Sequence, residues 1–244
     1  MNEKSPSVPK KPGAVPTKPR SGAYEVEAFL AQARALQGGS DAGGRLILAL
    51  DATMSRQPTW DLACRLQGEM FDAAGSPPGK LSVQLVYFRG LGECKASRFV
   101  SDTEALKNLM VRIDCRGGHT QIGKVLSHAL KETARQKVNA VVFIGDAMEE
   151  EIDDLAEKAG RLGLHGVPVF LFQEGADASV ERAFREIARL SKGAWFRFDR
   201  NAAATLARLL SAVALFATGG RKALAARGRP EDRLLIENLR GSGT

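Results

Sequence analysis

The stretch LILALDATMS, residues 46–55, decides the fold. Its first five residues are a continuous apolar run, the pattern of a strand buried on both faces, as found in parallel sheets covered by helices. The run stops at Asp51, and hydroxyls follow at Thr53 and Ser55. Open α/β sheets bind their ligands beyond the carboxyl ends of the strands, so a polar cluster at this point marks a candidate site. Two other segments contribute to it. VVFIGDAMEE (141–150) runs from an apolar strand into Asp146, and GGHTQIG (117–123) sets Thr120 just ahead of an amphipathic segment. Asp51, Thr53, Ser55, Thr120 and Asp146 together offer carboxylates and hydroxyls only. Such a set of hard oxygen donors suits Mg2+ or Mn2+ rather than zinc or copper.

Helical and strand-like segments alternate on either side of this stretch. Apolar residues at three- and four-residue steps (Val26, Phe29, Leu30, Ala33, Leu36) predict a helix over 23–37, and Leu62, Leu66 and Met70 predict another over 60–74. Strands are expected at 82–88 and 94–100. The short RGLGE link (89–93) between them requires an antiparallel pair. Helices follow at 103–113, 121–136, 150–162, 180–190 and 202–217, and strands at 138–144, 167–172 and 194–198. This alternation predicts an α/β fold, a doubly wound, mostly parallel six-stranded sheet with one antiparallel edge strand and helices on both faces. With the order 3-2-1-4-5-6, the first and fourth strands are central neighbours flanking the switch point. Asp51 and Asp146 then meet, and the loop carrying Thr120 opens into the same crevice.

Composition bounds what the site can belong to. A chain of 244 residues with 44% hydrophobic residues suits one sizeable core. The longest apolar runs fall well short of the roughly 20 residues that span a bilayer, and the N-terminus lacks the apolar stretch of a secretory signal. No membrane span and a cytoplasmic location are therefore expected. Cys64, Cys94 and Cys115 are an odd number without CxxC spacing, which argues for free thiols. The net charge of +7 is concentrated at the ends, with +4 in residues 1–20 and +3 in residues 219–244. The intervening chain is neutral, whereas a nucleic-acid reader usually carries a basic face on its folded domain. Five prolines and few large apolar side chains in residues 1–22 predict a disordered tail. An N-terminal helix and linker over 23–43, a folded domain over 44–218 and a basic, loosely held tail over 219–244 complete the expected organisation.

These residues resemble the von Willebrand factor type A (VWA) domain with its metal-ion-dependent adhesion site (MIDAS). The DxSxS motif of that family is similar to Asp51-Ala52-Thr53-Met54-Ser55, its Gly-Gly-Thr loop to Gly117-Gly118-His119-Thr120, and its strand ending in Asp-Gly to Gly145-Asp146-Ala147. His119 before the threonine and Ala147 in place of glycine are departures that remove no ligand. The resemblance implies a non-catalytic protein-binding module. In such domains hydroxyls like those of Thr53, Ser55 and Thr120 bind the cation directly or through water, and carboxylates like Asp51 and Asp146 often act through water. One octahedral position is left for a partner's Glu or Asp, in the setting of a larger intracellular assembly.

Other readings attach to the same residues. Asp51, Ser55 and Thr120 are each ordinary helix or turn caps. Glu149, Glu150 and Glu151 are most simply first-turn residues of their own helix, favoured by its dipole. His119, His128 and His165 do not cluster and are expected not to be ligands. An aspartate ending the first strand also resembles haloacid-dehalogenase-type phosphatases, but their chemistry needs a second Asp where this chain has Thr53. Binding of nucleic acid through the basic tails is the remaining alternative.

Overall fold

The computed structural model describes residues 43–53, 60–64, 70, 72, 81–198 and 203–241; the tail expected over 1–22 and the helix expected over 23–37 lie outside them. Six strands form one sheet: β1 (Gly44–Asp51), β2 (Leu81–Arg89), β3 (Glu93–Val100), β4 (Ala140–Gly145), β5 (Val169–Glu174) and β6 (Ala194–Phe198). Their order is β3-β2-β1-β4-β5-β6, with every pairing parallel except β2 with β3. This is the doubly wound sheet expected from the alternation of segments.

The continuous apolar run of β1 is explained by its central place. Leu46, Leu48 and Leu50 project into one core, and Ile47 and Ala49 into the other, all of them buried. The second core packs α2 (Ile122–Arg135), α3 (Ile152–Leu164) and α4 (Ala178–Ser191) over one face of the sheet. Phe88 and Phe143 stack there at 5.6 Å, and Phe143 meets Phe184 edge-on. The first core is covered by α1 (Thr103–Met110), α5 (Ala203–Arg227), α6 (Pro230–Gly241) and the helical residues 60–64. Asp102 caps α1 by accepting from Ala105 N at 2.7 Å, and the helix ends at Met110 rather than at residue 113. At the β3 margin a bulge interrupts the ladder. Leu85 N donates to Ser97 Oγ at 3.0 Å, Gln84 Nε2 donates to Ser97 O at 2.9 Å, and Lys95 and Arg98 stand exposed nearby.

The chain beyond Gly219 corrects an expectation, because it is helical and packed. Gly220, at φ 63° and ψ −161°, kinks α5 between the helical segments before and after it, a conformation open to glycine. Leu224, Leu235 and Leu239 are buried in the first core. Arg227 donates to both oxygens of Asp232, at 2.9 and 2.6 Å, and to Ser211 Oγ at 3.1 Å. The folded unit therefore runs to Gly241 instead of closing at residue 218. By length and composition α5 is the one helix, among the described residues, that could cross a membrane. Its stretch 204–219 is about 24 Å long at 1.5 Å per residue, short of the roughly 30 Å hydrocarbon core, and Leu206, Leu209, Leu210 and Val213 bury against the sheet.

Candidate functional site

Three segments converge at the carboxyl end of the two central strands. Leu50 pairs with Ile144 in the β1–β4 ladder, so Asp51 stands beside Gly145, the residue before Asp146. On its other side Asp51 pairs with Phe88, and Ala52 N donates to Phe88 O at 3.0 Å. Asp51 and Thr53 are buried, and Asp51 Oδ1 accepts from Thr53 N at 2.8 Å. That bond holds the carboxylate in a local turn and fixes its direction. Asp146, immediately beyond β4, is half-buried. Ser55 lies outside the described residues.

The loop carrying Thr120 is clamped onto this edge. Arg116 N donates to Ala52 O at 2.9 Å and His119 N to Gly90 O at 3.1 Å. Gln121 Nε2 reaches Arg89 O at 3.4 Å and Glu93 O at 3.3 Å, while Arg89 bonds Asp114 O. The clamp requires the glycine at 118: a Cβ there would lie 2.2 Å from Gly90 N and 2.3 Å from Gly90 O. His119, the departure from the Gly-Gly-Thr pattern, points its side chain to solvent and leaves the loop's backbone contacts intact.

The acidic run after Asp146 behaves differently from expectation. The helix α3 begins only at Ile152, with Glu151 at its cap position and no side-chain cap bond. Glu149 and Glu150 instead reach across to the start of α2. Glu149 Oε2 accepts from Thr120 N at 3.0 Å and from the Thr120 hydroxyl. Glu150 accepts from Gly123 N at 2.9 Å and from Ile122 N. These are the orphan amides of a helix whose own cap residue, Gln121, makes no side-chain cap bond. Two carboxylates at a helix N-terminus are favoured by its dipole. Burial pushes the Glu150 carboxyl up, with the Gly123 and Ile122 amides acting in the opposite sense. The signal in the sequence was the poor N-cap at Gln121, which required a cap from elsewhere.

Asp51, Thr53 and the Thr120 loop are thus brought to one edge by hydrogen bonds, and Asp146 by strand register. Burial, with Asp51 and then Asp61 adding to it, pushes the neighbouring Cys115 thiol up to about 11. The donor chemistry suits a hard cation: the Thr120 hydroxyl donates its hydrogen bond to Glu149, which leaves its oxygen lone pairs free to face a positive charge. Among the described residues no three His, Cys, Asp or Glu side chains gather; in the expected set hydroxyls supply the majority. His128 is bonded to Gln84 at 2.8 Å, and His119 and His165 are exposed. None of the three cysteines is paired in a disulfide, and all are half-buried.

No protein-family model matches the chain, and no curated protein matches it. Solved structures do. The aerotolerance-related membrane protein from Bacteroides fragilis is 22% identical with a TM-score of 0.53, over 69% of this chain and 98% of that one. The von Willebrand factor type A structure from Catenulispora acidiphila is 17% identical with a TM-score of 0.58, over 73% of this chain and 43% of that one. Proximal thread matrix protein 1 from the mussel byssus, solved with a zinc-occupied MIDAS motif, is 16% identical with a TM-score of 0.58, over 79% of this chain and 52% of that one. The chain therefore spans about half the length of the last two. At such identities the likeness is one of architecture, and the architecture is the von Willebrand factor type A fold.

Proposed function

We propose that the protein is a metal-dependent, non-catalytic interaction module that binds an acidic group of a protein partner through a Mg2+- or Mn2+-type site. Asp51, Thr53, Ser55, Thr120 and Asp146 would hold the ion. The observation that carries this reading is the convergence of Asp51, Thr53 and the Thr120 loop on the carboxyl edge of β1, beside the end of β4. When bound, the ion supplies an electrophilic point that an incoming carboxylate completes. The chain's own residues do the rest: Asp51 and Asp146 supply negative charge, and the hydroxyls supply neutral oxygens that leave the ion incompletely neutralised. Such a contact fixes one point, and the surrounding loops supply area and specificity. A zinc-occupied MIDAS in the mussel protein of the same fold supports a divalent cation at this edge.

A phosphatase has weaker support, because the position that would hold its general acid is Thr53, whose backbone N–H donates to Asp51. A cytoplasmic setting within a larger assembly is part of this reading, and cysteines outside any disulfide are compatible with a reducing compartment. Calorimetric titration with MnCl2 tests the reading. The wild type is expected to bind one ion, and Asp51→Ala to lose at least about tenfold in affinity, on the order of 1.4 kcal/mol. Equal affinity in the two proteins would end the proposal.

A further inference from the structure

Glu149 lies outside the expected ligand set, and its hydrogen bonds keep it there: Oε2 accepts from Thr120 N at 3.0 Å and from the Thr120 hydroxyl. The consequence falls on Thr120. A hydroxyl has one proton and two lone pairs, and it rotates to suit its neighbours. Once the proton is committed to Glu149 the rotation stops, and the lone pairs keep one direction. The segment that supplies the carboxylate is itself held. Glu150 accepts from Ile122 N and, at 2.9 Å, from Gly123 N, so the pair is fastened to the start of α2 at Thr120, Ile122 and Gly123. Gly123 is part of that fit, since a Cβ there would lie 2.8 Å from Glu150 Oε1. Asp146 precedes Glu149 on the same connection out of β4. One short segment therefore ties the Thr120 loop to the carboxylate at the end of β4.

We propose that Glu149 is a positioning residue that acts through Thr120: it fixes the direction of the Thr120 hydroxyl and holds that hydroxyl in register with Asp146, without itself touching the ion. This rests on the metal-dependent reading above. The role belongs to an acceptor oxygen at this point, because a single atom, Oε2, makes both bonds to Thr120. The side-chain carbonyl of Glu149→Gln offers one such oxygen on a chain of the same length and keeps both bonds, whereas Glu149→Ala keeps neither. Both substitutions remove the same charge. A difference between them in ion affinity therefore reads the bonds to Thr120 and not the loss of a negative group.

The test is a MnCl2 titration of the full chain, followed by the electron spin resonance of the free ion, on the wild type, Glu149→Gln, Glu149→Ala and Asp51→Ala. Glu149 is exposed, so its variants leave both cores untouched, and circular dichroism and melting temperature check their fold. Glu149→Ala is expected to bind Mn2+ about 10- to 100-fold more weakly than the wild type, the usual cost of losing the group that orients a ligand. Glu149→Gln is expected to bind at least about threefold more tightly than Glu149→Ala, the worth of a retained hydrogen bond. Equal affinities in Glu149→Gln and Glu149→Ala overturn the proposal, as does a lowered melting temperature in Glu149→Ala with its Mn2+ affinity unchanged. Either result leaves the metal site standing as long as the wild type takes up Mn2+ and Asp51→Ala does so more weakly. A wild type that takes up no Mn2+, or that is matched by Asp51→Ala, overturns the metal-dependent reading and this proposal with it.

Discussion

At the scale of single residues the candidate site depends on backbone clearance as much as on ligands. Gly118 faces the backbone of Gly90 so closely that any side chain would collide with main-chain atoms, which cannot swing away. Gly118→Ala is expected to push the Thr120 loop off the edge of β1, at a cost of about 1–3 kcal/mol in stability. It is also expected to weaken Mn2+ binding without touching a ligand. Denaturant midpoints and a Mn2+ titration on the same protein check this; an unchanged titration would show that the loop's position is irrelevant to the ion. The glycine pair itself was legible in the sequence as part of GGHT. Its partner was not, because Gly90 lies in the β2–β3 turn and the two meet only once the sheet is assembled.

Among the elements, the helices carry the clearest lesson about what a sequence discloses. The order of the strands could be read because each buried strand is a compact apolar run, and because Asp51 and Asp146 end such runs beside each other. The source of the α2 cap could not, since Glu149 and Glu150 stand 27 to 29 residues from the amides they bond and local pattern contains no such distance. The same holds for α6, whose Leu235 and Leu239 are diluted by charged neighbours and whose docking draws on two ion pairs to α5, Arg227–Asp232 and Arg208–Glu231. Asp232 is fully buried and Arg227 is 18% exposed. Burial drives the Asp232 carboxyl up, but the Arg227 guanidinium and the Arg229 amide overcome it and hold the carboxyl below its ordinary value. A depressed carboxyl stabilises the fold fully above about pH 4, where an unfolded aspartate is already ionised, and loses that contribution as pH falls through the lower folded value. Asp232→Ala is therefore expected to cost about 3 kcal/mol at pH 7, the low end for breaking a buried pair. The gap from wild type should shrink on acidification toward pH 3. Urea midpoints at both pH values decide it, and a gap independent of pH would mean that the pair contributes packing alone.

Over the whole molecule, the folded unit is larger than the expected span of 44–218, because the end of α5 and α6 together seal the first core. Ending the chain after Thr218 would remove Leu224, Leu235 and Leu239, three buried leucines. At about 1.5–3 kcal/mol for each, the loss is on the order of 5 kcal/mol, comparable with the entire stability of many domains. The truncated chain is expected to melt at least about 10 °C lower or to fail to fold cooperatively, as read by calorimetry; an unchanged melting temperature would reduce the pair to an ornament of the surface. The margin at β3 has a different consequence. A flat outer strand is a template on which further copies can stack into fibrils. Here the kink at Ser97, with Leu85 bonded to a side chain instead of to backbone and Lys95 and Arg98 projecting outward, spoils that template. Edge-to-edge stacking of further copies on this rim is thereby disfavoured.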